Sequence, residues 1–252
     1  MDQARIEELL RRLRMPRMRD IFKEKIEQAA REDVDFGALL GSLLEEDEVT
    51  SRDESQLRLK MRRADFPFAK TLEQFDFRRH PQLRRPVFQT YLDPSFIKSG
   101  GAVVLIGAPG LGKTHLAVAI GTQQALMGAD VRFVKVQALV NRVLEADGPR
   151  ERESILKPLR KCGLLILDEF GYLLPNVETG PILYDLISAR YERGATVITS
   201  NKSVGEWGTV LQDSALASAV LDRILHHGDV YHLKGESYRL KDKKLDLEDE
   251  AA

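Results

Sequence analysis

The sequence predicts an α/β fold, a parallel sheet with helices on both faces, behind a small N-terminal helical domain. Short β-branched or leucine-rich runs, Val103–Ile106, Val131–Val136, Leu164–Leu167 and Thr196–Thr199, alternate with stretches of helical spacing. That alternation marks parallel strands buried on both faces. Between the first run and Leu116-Ala117-Val118-Ala119-Ile120 stands Gly107-Ala108-Pro109-Gly110-Leu111-Gly112-Lys113-Thr114, a glycine-rich turn where a strand passes into a helix. Before residue 65 only helical spacing is found.

In chain order, Ile6, Leu9, Leu10 and Leu13 follow helical spacing, Pro16 interrupts it, and Met18, Ile21, Phe22, Ile26 and Ala29 resume it. A second run, Phe36, Leu39, Leu40, Leu43 and Leu44, ends in Glu45-Glu46-Asp47-Glu48, and Leu57 to Arg63 reads as a third, basic helix. Residues 1–65 are thus predicted to be a helical domain. Residues 64–77 mix aromatics, proline and charge and read as a linker. A core domain follows over residues 66–240, with Asp229–Leu233 as a fifth strand. The interval Gln137–Cys162 is long enough for two helices with Gly148-Pro149 between them, and residues 241–252 form a charged tail expected to be disordered.

Composition narrows the function classes. In 252 residues, 38 Lys+Arg against 39 Asp+Glu leave a net charge of −1, so contact with nucleic acid must come from local patches. A single cysteine excludes an internal disulfide or a cysteine-based metal site. No signal-peptide h-region or long apolar run is present, which predicts a cytoplasmic protein with no membrane association.

The glycine-rich turn is a complete P-loop. Its backbone N–H groups can surround phosphate oxygens at a helix N-terminus, Lys113 can reach the β- and γ-phosphates of ATP, and the Thr114 hydroxyl can ligate Mg²⁺. Leu164-Leu165-Ile166-Leu167-Asp168-Glu169 is an apolar strand ending in adjacent carboxylates. Asp168 is placed to hold Mg²⁺ and Glu169 to polarise an attacking water, the feature that separates hydrolysis from mere binding. Thr196-Val197-Ile198-Thr199-Ser200-Asn201 is a strand with a polar end, where Asn201 or Ser200 would reach the γ-phosphate or serve as a turn residue or cap.

These features together, with a late arginine, resemble an AAA+ ATPase. Phe75-Asp76-Phe77, Gly112-Lys113-Thr114-His115-Leu116-Ala117, Leu165-Ile166-Leu167-Asp168-Glu169-Phe170-Gly171, Thr199-Ser200-Asn201-Lys202 followed by Trp207, Leu221-Asp222-Arg223-Ile224-Leu225-His226-His227 and Lys234-Gly235-Glu236-Ser237-Tyr238-Arg239 resemble, in that order, the IstB family. Its members are ATP-dependent helpers of an insertion-sequence transposase, related to the DnaC helicase loaders. The resemblance runs from about residue 5 to residue 241, and the motifs after Leu221 are more specific than the P-loop. It implies a five-stranded AAA+ core that forms homo-oligomers on double-stranded DNA, bends it and presents it to the transposase, which stimulates hydrolysis. It makes residues 107–115, with His115, the ATP-binding set, Thr114 and Asp168 the Mg²⁺ ligands, and Glu169, Asn201 and Arg223 catalytic, Arg223 as an arginine finger. Arg223 could instead form a local ion pair with Asp222. With fewer than twenty residues after Gly235, no full lid domain is expected, and Arg239 is at best a partial second sensor.

The clade carries an extra helix between the second and third strands, and here its second half is basic: Arg150, Arg152, Lys157, Arg160 and Lys161 against Glu151 and Glu153. That stripe is either a phosphate-contacting surface or a solvated face with i,i+4 pairs. The same alternatives hold for Arg11, Arg12, Arg14, Arg17 and Arg19 and for Arg58, Lys60, Arg62 and Arg63. Cys162 and Trp207 read as packing residues. Phe66, Phe68, Phe75 and Phe77 could border the adenine, with packing equally open for the first two. His80, His115, His226, His227 and His232 show no metal-ligand spacing, and the adjacent His226 and His227 are expected on different sides of a helix. The competing function is a DnaC-like helicase loader, which would differ in its N-terminal domain. A small-molecule kinase would not need the Asp-Glu pair with a sensor and a late arginine, and Glu169 argues against a scaffold without turnover.

Overall fold

The computed structural model describes residues 3–13, 15–32, 34–44, 59–173, 176–235 and 237–238. Arg14, the acidic run 45–48, Leu57, Arg58, Glu236, Arg239 and the tail from Lys241 lie outside the described residues. The chain divides into two compact units, Met1–Leu59 and Lys60–Ala252.

The first unit contains the helices Gln3–Arg12, Pro16–Glu32 and Phe36–Ser42. Pro16 opens the second helix rather than kinking one long one, because the first helical position needs no N–H. Leu10, Met18, Phe22 and Leu43 are its buried centre, and Lys23 meets Glu7 at 2.6 Å between the first two helices. Asp35 caps the third, accepting from the backbone of Gly37 and Ala38.

The second unit is built on five parallel strands in the order β2-β3-β4-β1-β5. They are β1 (Ala102–Gly107), β2 (Val131–Lys135), β3 (Leu164–Asp168), β4 (Ala195–Ser200) and β5 (Gly228–Leu233). Alternate residues face opposite sides, so the continuous apolar runs feed two cores. Val103, Leu105, Leu164 and Ile166 pack with Leu116, Ala117 and Ile120 of the helix Lys113–Leu126. Val104, Ile106, Leu165 and Leu167 meet the helices Val136–Glu145, Pro149–Lys161, Thr179–Arg190 and Ser214–His226. The expected second strand loses its last residue: Val136 is the first of a helix and is buried on the second face. Residues 60–65, expected with the N-terminal domain, pack in the second unit instead. Lys60 Nζ donates to Gly128 O at 2.6 Å, Arg132 donates to Arg63 O at 3.3 Å, and Ala64 is fully buried.

Two buried side chains fix the second face. Trp207 is fully buried, its ring 4.2 Å from that of Phe170, which follows the Asp168-Glu169 pair. Arg190 is equally buried and meets carbonyls. It donates to Leu159 O at 2.7 Å, Cys162 O at 2.8 Å and Ala195 O at 2.5 Å, closing the C-terminal end of the helix Pro149–Lys161 onto the start of β4. A cation at a helix C-terminus meets the negative end of the helix dipole as well as its unpaired carbonyls. Arg190→Met removes these donors, and an unpaired buried carbonyl costs about 1–3 kcal/mol, so urea unfolding is expected to show a loss of about 3–5 kcal/mol. A loss under about 1 kcal/mol would show that the carbonyls find other partners.

Candidate nucleotide site

The P-loop leaves β1 at Gly107 and enters the helix Lys113–Leu126 at Gly112. Gly110 and Gly112 hold φ of 80° and 87°, a region that L side chains disfavour. A Cβ on Gly112 would lie 2.7 Å from the Phe75 ring and one on Gly110 2.0 Å from Ser237 Oγ, so the loop is clamped from both sides. No side chain caps the helix, which leaves its first amides for an anion. Lys113 folds back over the loop, its ammonium donating to Gly107 O at 2.7 Å and Ala108 O at 2.8 Å.

At the tip of β3 the two carboxylates diverge. Asp168 is 2% exposed, and its Oδ1 accepts from Thr114 Oγ1 at 2.9 Å and Thr199 Oγ1 at 2.6 Å. Burial pushes its carboxyl above the ordinary range, and the two hydroxyls pull it back. Thr199 Oγ1 also accepts from the backbone N–H of Glu169 at 3.0 Å, so one hydroxyl sets both residues. Glu169 adopts a left-handed backbone, φ 62°, which costs a non-glycine residue about 1–2 kcal/mol and aims its side chain away from Asp168. Its carboxylate is half-exposed and meets Lys135 Nζ at 3.2 Å, Lys135 being the β2 residue paired in register with Asp168. The Thr114 hydroxyl and the Asp168 carboxylate are hard oxygen donors side by side, a pair that suits Mg²⁺.

At the tip of β4 the two sensor candidates separate. Ser200 Oγ closes its own turn, donating to Lys202 O at 2.7 Å and accepting from Lys202 N at 3.0 Å. Asn201 Oδ1 is buried without a partner, and a Cβ on Gly171 would lie 2.0 Å from it, so a side chain at 171 would displace the amide. Asn201, Lys113 and Glu169 border one cavity of about 320 Å³. A second, of about 450 Å³, opens between the P-loop and the linker and is bordered by Phe68, Phe75, His115 and Tyr238. His115 Nε2 lies 3.0 Å from Thr71 O, and burial pushes its pKa below the ordinary histidine value. Tyr238 straps the loop: its N–H donates to Gly110 O at 3.0 Å, its hydroxyl to Asp76 O at 3.2 Å, and the Arg79 guanidinium covers its ring at 4.4 Å. Phe66 turns to Phe133 and Phe77 to Phe88, both in packing contacts.

Five sequence-predicted residues, Lys113, Thr114, Asp168, Glu169 and Asn201, are thus joined by two the sequence did not single out, Thr199 and Lys135, and by Tyr238 from the far end of the chain. A hydroxyl one residue before a polar strand end and a lysine ending an apolar run were the available signals. Arg223 borders neither cavity. It donates to Ala219 O at 2.8 Å and to the Tyr184 hydroxyl at 3.1 Å, lying over the Tyr184 ring rather than pairing with Asp222. On the helix Pro149–Lys161, Arg160 is held between Glu153 and Asp185 at 2.5 Å each, and Arg152 reaches Glu178 at 3.5 Å. Arg150, Lys157 and Lys161 are exposed, with no ion pair among the described residues.

Residues 8–246 match the model of the IstB-like ATP binding protein family. The chain is 36% identical to the insertion sequence IS5376 putative ATP-binding protein of Geobacillus stearothermophilus, over 98% of each chain. It is 37% identical to the insertion sequence IS21 putative ATP-binding protein of Pseudomonas aeruginosa, over 95% of this chain and 90% of the relative. Among solved structures, the DnaC helicase loader superposes with a TM-score of 0.52 at 21% identity, covering 65% of this chain and 96% of that one. AMPPCP-bound DnaA from Aquifex aeolicus superposes with a TM-score of 0.54 at 20% identity, covering 73% and 56%. Both likenesses are ones of fold, the five-stranded parallel sheet with its P-loop. With that fold, the P-loop and the carboxylate pair of β3 in place, the match along nearly the whole sequence makes the chain a member of the IstB-like ATP binding protein family.

Proposed function

We propose that the protein is an ATP-hydrolysing helper of insertion-sequence transposition. It assembles as a homo-oligomer on double-stranded target DNA, remodels or bends that DNA, and recruits the partner transposase. The observation that carries this reading is the divided carboxylate pair: Asp168 buried under the Thr114 and Thr199 hydroxyls, Glu169 turned into the cavity that Lys113 and Asn201 also border. The printed names of the two curated relatives support the insertion-sequence context. The likeness to the helicase loader is one of fold, and no feature of the site favours that reading.

When bound, Mg²⁺ would be held by Thr114 and Asp168 and would offset phosphate charge. Lys113 exchanges its two loop carbonyls for phosphate oxygens, a trade of partners that keeps its ammonium hydrogen-bonded. Glu169 accepts a proton from the attacking water once its carboxylate leaves Lys135, and Asn201 offers its amide, whose Oδ1 has no partner, to orient that water. Arg223 acts in trans: exchanging Tyr184 for a neighbour's γ-phosphate would couple hydrolysis to assembly.

Glu169→Gln keeps the shape of the side chain and removes its basicity. ATP affinity is expected to stay within threefold of wild type while phosphate release falls about 100-fold or more. Equal turnover would remove Glu169 from the chemistry. For DNA the exposed set is Arg150, Lys157 and Lys161, whereas Arg160 is committed to Glu153 and Asp185. Replacing those three by Ala is expected to reduce the slope of log K against log salt by about 2–3, near 0.9 per lost phosphate contact. An unchanged slope would place the DNA elsewhere.

A further inference from the structure

A cluster unrelated to the nucleotide site lies at the other end of the strands, where β1, β4 and β5 begin. Spacing alone sends adjacent histidines to different sides of a helix, and His226 and His227 do not behave that way. The helix Ser214–His226 ends between them, and His227 leaves it with φ −127° and ψ 26°. The two rings therefore converge, with centroids 4.1 Å apart. Glu192 joins them from the turn after the helix Thr179–Arg190, its carboxylate 3.3 Å from His227 Nε2. Ligand atoms of the three residues lie within 4.8 Å of one another, and all three are exposed.

We propose that Glu192, His226 and His227 form a binding site for a divalent transition-metal ion of the zinc class, clasping the ends of two helices. Two imidazoles with one carboxylate select zinc and its neighbours over Mg²⁺ or Ca²⁺, which need oxygen donors throughout. The backbone beneath each ligand is fixed. His227 O accepts from Ala102 N at 3.1 Å at the start of the sheet. Glu192 holds a left-handed φ of 58°, and Gly100 packs so closely that a Cβ there would lie 2.9 Å from the Glu192 Cα. The Tyr191 hydroxyl meets His226 Nδ1 at 2.6 Å and holds that ring, as partners of metal-ligating histidines do. Tetrahedral bonds of about 2.0–2.1 Å place ligand atoms about 3.3 Å apart, so the side chains need draw in by about 1.5 Å at most, within the rotamer freedom of exposed groups. Three protein ligands leave the remaining position to water.

The test is a zinc titration of the tag-free full chain against a chromophoric chelator, with excess Mg²⁺ to occupy the oxygen ligands at the P-loop. One equivalent with micromolar or tighter affinity is expected, accompanied by a rise in melting temperature. Glu192→Gln and His227→Asn should each weaken uptake threefold or more while circular dichroism stays unchanged. Should the histidine variant fail to fold, Glu192→Gln alone decides. Absence of micromolar uptake by wild type, or an affinity within threefold of wild type in a folded variant, overturns the proposal.

Discussion

Asp168 is a carboxylate buried at the tip of an inner strand of a parallel sheet, and its desolvation has to be offset. Two hydroxyls from two other elements do so: Thr114 at the start of the P-loop helix and Thr199 near the end of β4. Because β4 lies between β3 and β1, this hydrogen-bonded trio joins the tips of three adjacent strands into one unit. The same Thr199 hydroxyl accepts from the Glu169 amide and fixes the left-handed turn that sends the second carboxylate outward. Adjacent carboxylates can serve different purposes only because the backbone turns between them: one is dry and aimed at the P-loop hydroxyl, the other wet and paired with Lys135.

The P-loop is held just as firmly from the opposite side. Phe75 occupies the space where a side chain on Gly112 would stand, Ser237 does the same at Gly110, and the Tyr238 backbone bonds to the loop. A loop so enclosed can present its amides without paying a large ordering entropy on binding. Its lysine, resting on two carbonyls of the same loop, is the part left to move.

Much of this could be read from the sequence because the signals were local. The β1 and β3 runs are close to their observed limits, since a strand buried on both faces must be apolar throughout, and the edge strand β5 gains only Gly228 at its start. The P-loop and the Asp168-Glu169 pair declare themselves by order and spacing, and Gly148-Pro149 did separate two helices. What escaped was long-range or sub-helical. Nothing local says that Lys60 and Ala64 pack with the strand-bearing unit, or that Arg190 caps a helix distant in sequence. Nor does helical periodicity foresee that the helix stops between His226 and His227, since periodicity reports a face and not an end.

The proposed arrangement, in which Arg223 of one subunit completes the site of its neighbour, is open to complementation. Lys113→Ala and Arg223→Ala would each be inactive alone, one lacking the P-loop ammonium and the other the group offered across the interface. Phosphate release by the two proteins mixed on double-stranded DNA is the measurement. Turnover returning in the mixture, from interfaces that pair an intact P-loop with an intact arginine, is the predicted result. A mixture that co-assembles on DNA and stays inactive would contradict it.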